Sequence, residues 1–167
     1  MTLADLYDAQ LAWVLATLRR LGIPDAEVDD VAHELFLVVH RKLSAYDRAR
    51  PLRPWLFGIA YRVARDHLRR GSARLRMVQS IRPAEAVDLE LQTEARQQLE
   101  RIQRALDSLD YERRATFVMH ELDGFSVPEI ADVLGCPLNT LYSHLRRARK
   151  HVHAHLASGE DSRHDFG

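Results

Sequence analysis

The chain is 167 residues long, 46% hydrophobic and 29% charged, with one cysteine and a formal net charge of zero. That composition belongs to a foldable globular chain, and the single Cys136 excludes an internal disulfide and a four-cysteine zinc centre. No apolar run reaches the ~18 residues of a membrane-spanning helix, and the leading MTLADLYDAQ lacks the basic and apolar segments of a secretory signal, so a cytoplasmic chain without membrane insertion is expected.

Helical periodicity runs through most of the chain, which predicts an all-α fold. Leu3, Leu6, Tyr7, Leu11, Val14, Leu15 and Leu18 recur at helical spacing and stop at the turn Gly22-Ile23-Pro24-Asp25. A second helix is predicted from about Asp25 to Leu43, with Val28, Val31, Leu35, Val38 and Val39 as its apolar stripe. Its acids Asp25, Glu27, Asp29 and Asp30 come first and its bases Arg41 and Lys42 last, the order a helix dipole favours. The turn-rich stretch Ser44 to Pro54 comes next, then a helix from about Trp55 to Arg70 that Gly71 is expected to stop. Residues 72–92 have weak periodicity and read as a linker. Helices resume by Glu94, with one stripe on Leu99, Ile102, Ala105, Leu106 and Leu109 and a further helix over Tyr111 to Leu122.

Charge is spread unevenly along this order. Residues 84–137 hold 5 basic and 12 acidic residues, whereas residues 138–156 hold 4 basic and no acidic ones. Phosphates respond to local fields and not to a chain's total, so overall neutrality leaves a nucleic-acid partner open.

The most informative segment is FSVPEIADVLGCPLNTLYSHLRRARKHV, from Phe125 to Val152. Ser126 with Glu129 forms a capping box, Pro128 fits a first helical turn, and Gly135 suits the positive φ that closes a short helix. A longer helix from about Leu138 to Leu156 then places Leu141, Leu145, Ala148 and Val152 on one side. Its other side offers Asn139, Thr140, Tyr142, Ser143, His144, Arg146, Arg147, Arg149 and Lys150. This is helix-turn-helix grammar: residues early in the second helix reach base edges, and the arginines beyond suit phosphates. The competing reading, a solvated basic helix in a bundle, fits the acid-free run poorly.

A second segment interleaves Trp55 and Tyr61 with Arg62, Arg65, Arg69 and Arg70. Rings stack on bases and guanidiniums track a backbone, so the pattern suits single-stranded DNA. Periodicity alone favours Trp55 as a core residue at a helix start.

Two blocks carry a family likeness: DDVAHELFLVVHRKLSAYDRARPLRPWLFGIAYRVARDHLRR, Asp29 to Arg70, and LDSLDYERRATFVMHELDGFSVPEIADVLGCPLNTLYSHLRRARKHV, Leu106 to Val152. In order and spacing they resemble the extracytoplasmic-function sigma factors of the bacterial primary sigma family. The resemblance implies two small helical domains joined by a flexible linker: region 2 over 1–71, a linker over 72–93, region 4 over 94–157, and a disordered tail over 158–167. It implies that Asp30, His33, Glu34, Leu37 and Arg41 face the clamp of the largest subunit of core RNA polymerase, with region 4 meeting the flap of the second-largest. These positions also share a helix face by spacing. The loop Ser44 to Pro54, with Tyr46, Asp47 and Arg53, would capture a flipped base of the minus-ten element. Trp55, Tyr61, Arg62, Arg65 and Arg69 would meet the melting duplex, and the last helix would read the minus-thirty-five element. His33 stands where glutamine is common, and Tyr142 and His144 where lysine and arginine are common. Promoter DNA, core polymerase and an anti-sigma factor are the implied partners.

No glycine-rich phosphate loop, nucleophile elbow or paired-metal motif occurs, so neither an enzyme nor a cofactor is expected. His151 and His155 are an i, i+4 pair, but they lack a neighbouring acid or cysteine and read as a solvated helix end, with no metal site expected. The residues leave a second function open: a stand-alone helix-turn-helix regulator whose N-terminal half dimerises or senses a ligand.

Overall fold

The computed structural model describes residues 2–77 and 94–161, and among them every regular element is helical. Helix α1, Leu3–Arg20, begins at a capping box in which Thr2 and Asp5 satisfy each other's backbone N–H groups. A single 3-10 turn, Asp25–Glu27, leads into α2, Val28–Lys42. Val28, Val31, Ala32, Leu35, Phe36 and Val39 are buried there at helical spacing, so one apolar stripe fills the space between α1 and the next helix.

That helix, α3, spans Leu52–Met77 and corrects the expected bounds at both ends. It starts before Trp55 because Pro54 falls in the first turn, where a missing N–H has no intrahelical partner to lose. It continues through Gly71 because a glycine costs a helix only about 1 kcal/mol relative to alanine and helix-forming residues resume at once. Ser72 Oγ also donates to the Arg69 carbonyl, 3.0 Å away. Residues 72–77 of the expected linker are therefore helical; its remainder, and the last residues of the expected tail, lie outside the described residues.

The C-terminal half comprises α4, Glu94–Asp107; α5, Tyr111–Phe117; α6, Val127–Leu134; and α7, Leu138–Asp161, which outruns its expected end near Leu156. Helix α5 widens into one π turn over Val118–Leu122, closed by the Asp123 N–H on the Val118 carbonyl at 3.0 Å. The periodicity gives one unbroken helix here; an inserted π turn rotates the face presented by later residues without changing the residue types.

The two halves pack on one another. Phe57 is wholly buried and meets Phe125 edge-on, with centroids 6.2 Å apart. Tyr61 lies against Tyr111 at 5.1 Å, and the Tyr111 hydroxyl donates to the Tyr61 carbonyl at 2.7 Å. Burial pushes both phenols above their ordinary values, Tyr111 by far the more. The absence of a side chain at Gly58 makes room for Val133, whose Cγ1 would sit 3.2 Å from a Cβ there.

Side chains from the C-terminal half also close the end of α1. Backbone N–H groups of the turn at 21–23 take up the Thr17, Leu18 and Arg19 carbonyls, and side chains complete the end. Arg114 donates from Nε to the Arg20 carbonyl and from Nη1 to Asp107 at 2.9 Å, while Gln103 donates to the Arg19 carbonyl at 2.9 Å. Arg114 is 6% exposed, and burial lowers its pKa against the opposing pull of Asp107. Gly22, at φ +100°, lies so close that a Cβ would approach the Arg114 guanidinium to 3.0 Å. Beside this, Asp123 accepts from Trp13 Nε1 at 3.1 Å and from Arg20 Nη1 at 3.4 Å.

Candidate nucleic-acid interface

The local chemistry of 125–152 sets the angle of the reading helix. Ser126 Oγ accepts from the Glu129 N–H at 3.4 Å, and the Glu129 carboxylate accepts from the Ser126 N–H at 2.8 Å. The Ser126 hydroxyl, 2.7 Å from the Glu129 carboxylate, and after it the Ser126 N–H hold that carboxyl below its usual range. Gly135 takes φ 63° and ψ 35°, and its N–H returns to the Ala131 carbonyl at 2.8 Å. The chain is thereby turned in three residues, and Leu141, Leu145, Ala148 and Val152 of α7 are buried.

On the opposite side of α7, Asn139, Thr140, Tyr142, Arg146, Arg147, Arg149 and Lys150 are exposed, so seven of the nine expected contacts share an open surface. Ser143 and His144 differ. Both are half-buried, and His144 lines a cleft with Arg65, Arg69 and Arg113. Arg149 is engaged by Glu121 at 2.6 Å, which holds one cation back from phosphate contact in this state.

The melting segment is also divided. The Tyr46 ring meets Trp55 at a tilt of 40°, with ring centroids 4.6 Å apart, and its hydroxyl donates to the Arg50 carbonyl. Asp47 accepts from the Ala49 N–H at 3.0 Å, an Asx turn that shapes the loop locally. Arg53 lies over the Trp13 ring at 5.6 Å and so is directed toward α1. Trp55 is half-buried: one part packs and the rest lines a cleft of about 370 Å³ with Arg50, Arg62, Glu129 and Asp132. Arg62, Arg65 and Arg69 are exposed along α3. Tyr61 is only 8% exposed and covered by Tyr111, so no base reaches it in this arrangement.

On α2, Asp30, His33, Leu37 and Arg41 are exposed and Glu34 is half-buried. Leu37, at 52% exposure, is an apolar residue in the middle of a charged face, a common mark of a protein contact. Arg70 Nη2 lies 3.1 and 3.2 Å from the two Glu34 oxygens, a cross-helix pair that spacing within α2 could not reveal. The histidine cluster is explained internally: His151 Nε2 is 2.7 Å from Ser108 Oγ, and its ring lies 4.8 Å from that of His155. Among the described residues no three His, Cys, Asp or Glu side chains gather as a metal site, and no helix is long and apolar enough to cross a membrane.

An all-helical fold with a helix-turn-helix at one end and a row of arginines on a separate helix defines a DNA-binding transcription factor. The sequence matches the family descriptions Sigma-70 region 2 over residues 6–74 and Sigma-70, region 4 over residues 99–152. It is 34% identical over 152 residues to the RNA polymerase sigma factor CnrH of Cupriavidus metallidurans, covering 83% of this chain and 78% of that one. It is 30% identical over 149 residues to the RNA polymerase sigma factor NccH of Alcaligenes xylosoxydans xylosoxydans, covering 85% and 80%. It is 28% identical over 160 residues to the ECF RNA polymerase sigma-E factor of Escherichia coli, covering 83% and 78%. The solved structure of CnrH in complex with the cytosolic domain of CnrY superposes with a TM-score of 0.68, at 28% identity, over 93% of this chain and 88% of that one. The chain belongs to the sigma-70 family, as an extracytoplasmic-function member. It is an alternative sigma subunit, directing RNA polymerase to promoters, and the stand-alone regulator is not the reading these relatives favour.

Proposed function

We propose that the two exposed surfaces divide the work of initiation. The face of α2 formed by Asp30, His33, Glu34, Leu37 and Arg41 seats on the polymerase clamp. The C-terminal half meets the flap and lays the start of α7 in the major groove of the minus-thirty-five element. There Asn139, Thr140, Tyr142 and Ser143 read base edges, and Arg146, Arg147, Arg149 and Lys150 hold phosphates. The loop 44–54 and the arginine row of α3 receive the opened minus-ten strand. The observation that carries this reading is the exposure of α7's polar side while Leu141, Leu145, Ala148 and Val152 are buried on its other side.

The units within the chain are a region 2 fold that extends to the end of α3 at Met77 and a region 4 fold from Glu94 to the end of α7 at Asp161. The chain supplies promoter choice and strand opening and catalyses nothing itself; nucleotide addition belongs to the polymerase. It acts in the cytoplasm, and by likeness to CnrH, solved with the cytosolic domain of CnrY, it takes a regulatory protein partner of the anti-sigma kind.

Run-off transcription with core polymerase on a genomic template library tests the reading. Promoter-specific transcripts are expected with the chain and absent without it. Glu34→Lys should lower affinity for core polymerase in a competition assay, whereas Trp55→Ala should bind normally and fail to give permanganate-reactive thymines. Normal melting by Trp55→Ala would remove the stacking role.

A further inference from the structure

We propose that Leu138 and Tyr142 form an apolar pair at the head of α7 that reads the methyl groups of thymines in the minus-thirty-five element. The inference rests on the sigma reading and names what the reading helix recognises.

Three observations converge. First, both side chains are large and open to solvent, Leu138 at 45% and Tyr142 at 58% exposure. Tyr7 and Tyr46, also exposed in part, lie against Phe36 and Trp55, each with ring centroids 4.6 Å apart. Tyr142 has no ring contact and no side-chain hydrogen bond among the described residues. Second, the two share one edge of the helix. Four positions apart, they project in nearly the same direction. The row continues through Arg146 and Arg149, so a surface that begins apolar ends in guanidiniums. That order suits a helix whose head meets base edges and whose later turns meet the backbone. Third, the residues beside the pair suit A·T base pairs. From 138 to 144 the helix carries neither an arginine or lysine to pair with guanine nor an acid to accept from cytosine. Asn139 and Thr140 are exposed there, and an asparagine pairs with adenine.

The thymine methyl is the apolar group that B-DNA offers in its major groove. A leucine and a phenol ring gain by covering it, and lose by covering the polar edge of a G·C pair. The two side chains lie about 6 Å apart along the helix axis, more than the ~3.4 Å rise between base pairs. Each therefore addresses its own base pair, and two thymines, on either strand, are expected within three consecutive positions.

Uracil, which lacks only that methyl, tests the proposal. The preferred upstream element is first selected from a randomised promoter pool with holoenzyme formed from core polymerase and the wild-type chain. Each thymine in it is then replaced by uracil, and affinities are compared by gel shift. Uracil should weaken binding about fourfold at each of two positions, the effect of one buried methyl. The factor should be the same at low and high salt, because the contact releases no counterion. Leu138→Ala should remove the penalty at one position and Tyr142→Ala at the other; both residues are exposed, so neither change opens the core. Tyr142→Phe should keep it. Equal affinity for thymine and uracil overturns the proposal, as does an element without thymines at such positions or a penalty that survives both alanine variants. A penalty lost in Tyr142→Phe assigns the contact to the hydroxyl and overturns the apolar reading at that residue. Uracil insensitivity with normal promoter-specific transcription strikes at this inference alone. A holoenzyme with no upstream preference and no specific transcript strikes at the sigma reading.

Discussion

Asp123 joins the two halves of the chain, accepting from Trp13 and Arg20 of α1. Burial raises its pKa, against the lowering effects of the Trp13 hydrogen bond and of Arg20 and Arg53. A carboxyl with a raised folded pKa binds its proton more tightly folded than unfolded. Its contribution is therefore full below the unfolded pKa and is lost as pH rises through the folded one. Glu129 has the opposite sign: its lowered pKa gives stability that is present above the unfolded value and lost as pH falls through the folded one. Urea melts of the wild type and Asp123→Asn across the acidic range should therefore draw apart, the wild type gaining on the variant as pH falls from neutrality. A constant gap would show that the carboxyl titrates alike in both states. At the capping box, Ser126→Ala should cost about 1 kcal/mol in the same melts. Both ends of that box were legible from a three-residue spacing. The partners of Asp123 were not, since Trp13 lies 110 positions away and no local pattern joins them.

At the scale of the element, punctuation was readable and continuation was not. The helix-turn-helix could be placed from Ser126, Pro128 and Gly135 because each acts on backbone within a few residues of itself. Gly71 misled for the converse reason: a glycine stops a helix only where the chain turns positive in φ, and here it does not. The π turn after α5 left no trace in residue type. Helix α7 allows two kinds of variant to be told apart. Arg146→Ala should weaken DNA binding by the holoenzyme at every upstream sequence and reduce the salt slope by about one unit. Tyr142→Ala should change which minus-thirty-five sequence is preferred and leave the slope alone. Gel-shift titrations at several salt concentrations on a randomised upstream element separate the two.

For the whole molecule, zero net charge is the sum of complementary parts that the fold sets against each other. The segment counts showed the imbalance; they could not show that Glu129, Asp132, Asp110 and Glu112 stand opposite Trp55 and the α3 arginines. The same holds for the hydrophobic core. Stripes for each helix were visible, but that Phe57 of one half meets Phe125 of the other depends on packing between segments far apart in the chain. Phe57→Ala should cost roughly 3–5 kcal/mol. In calorimetry the single transition expected of two halves that share a core should broaden or divide, as cooperativity between them is lost.

The Tyr46–Trp55 pair carries a consequence for how a nucleobase is chosen. On the proposed role of Trp55, the indole already has an aromatic neighbour, so an incoming base would trade places with a phenol. The gain would then be a small difference between two ring contacts, leaving discrimination among bases to the polar atoms of the loop 44–54. Such an exchange would be readily reversed.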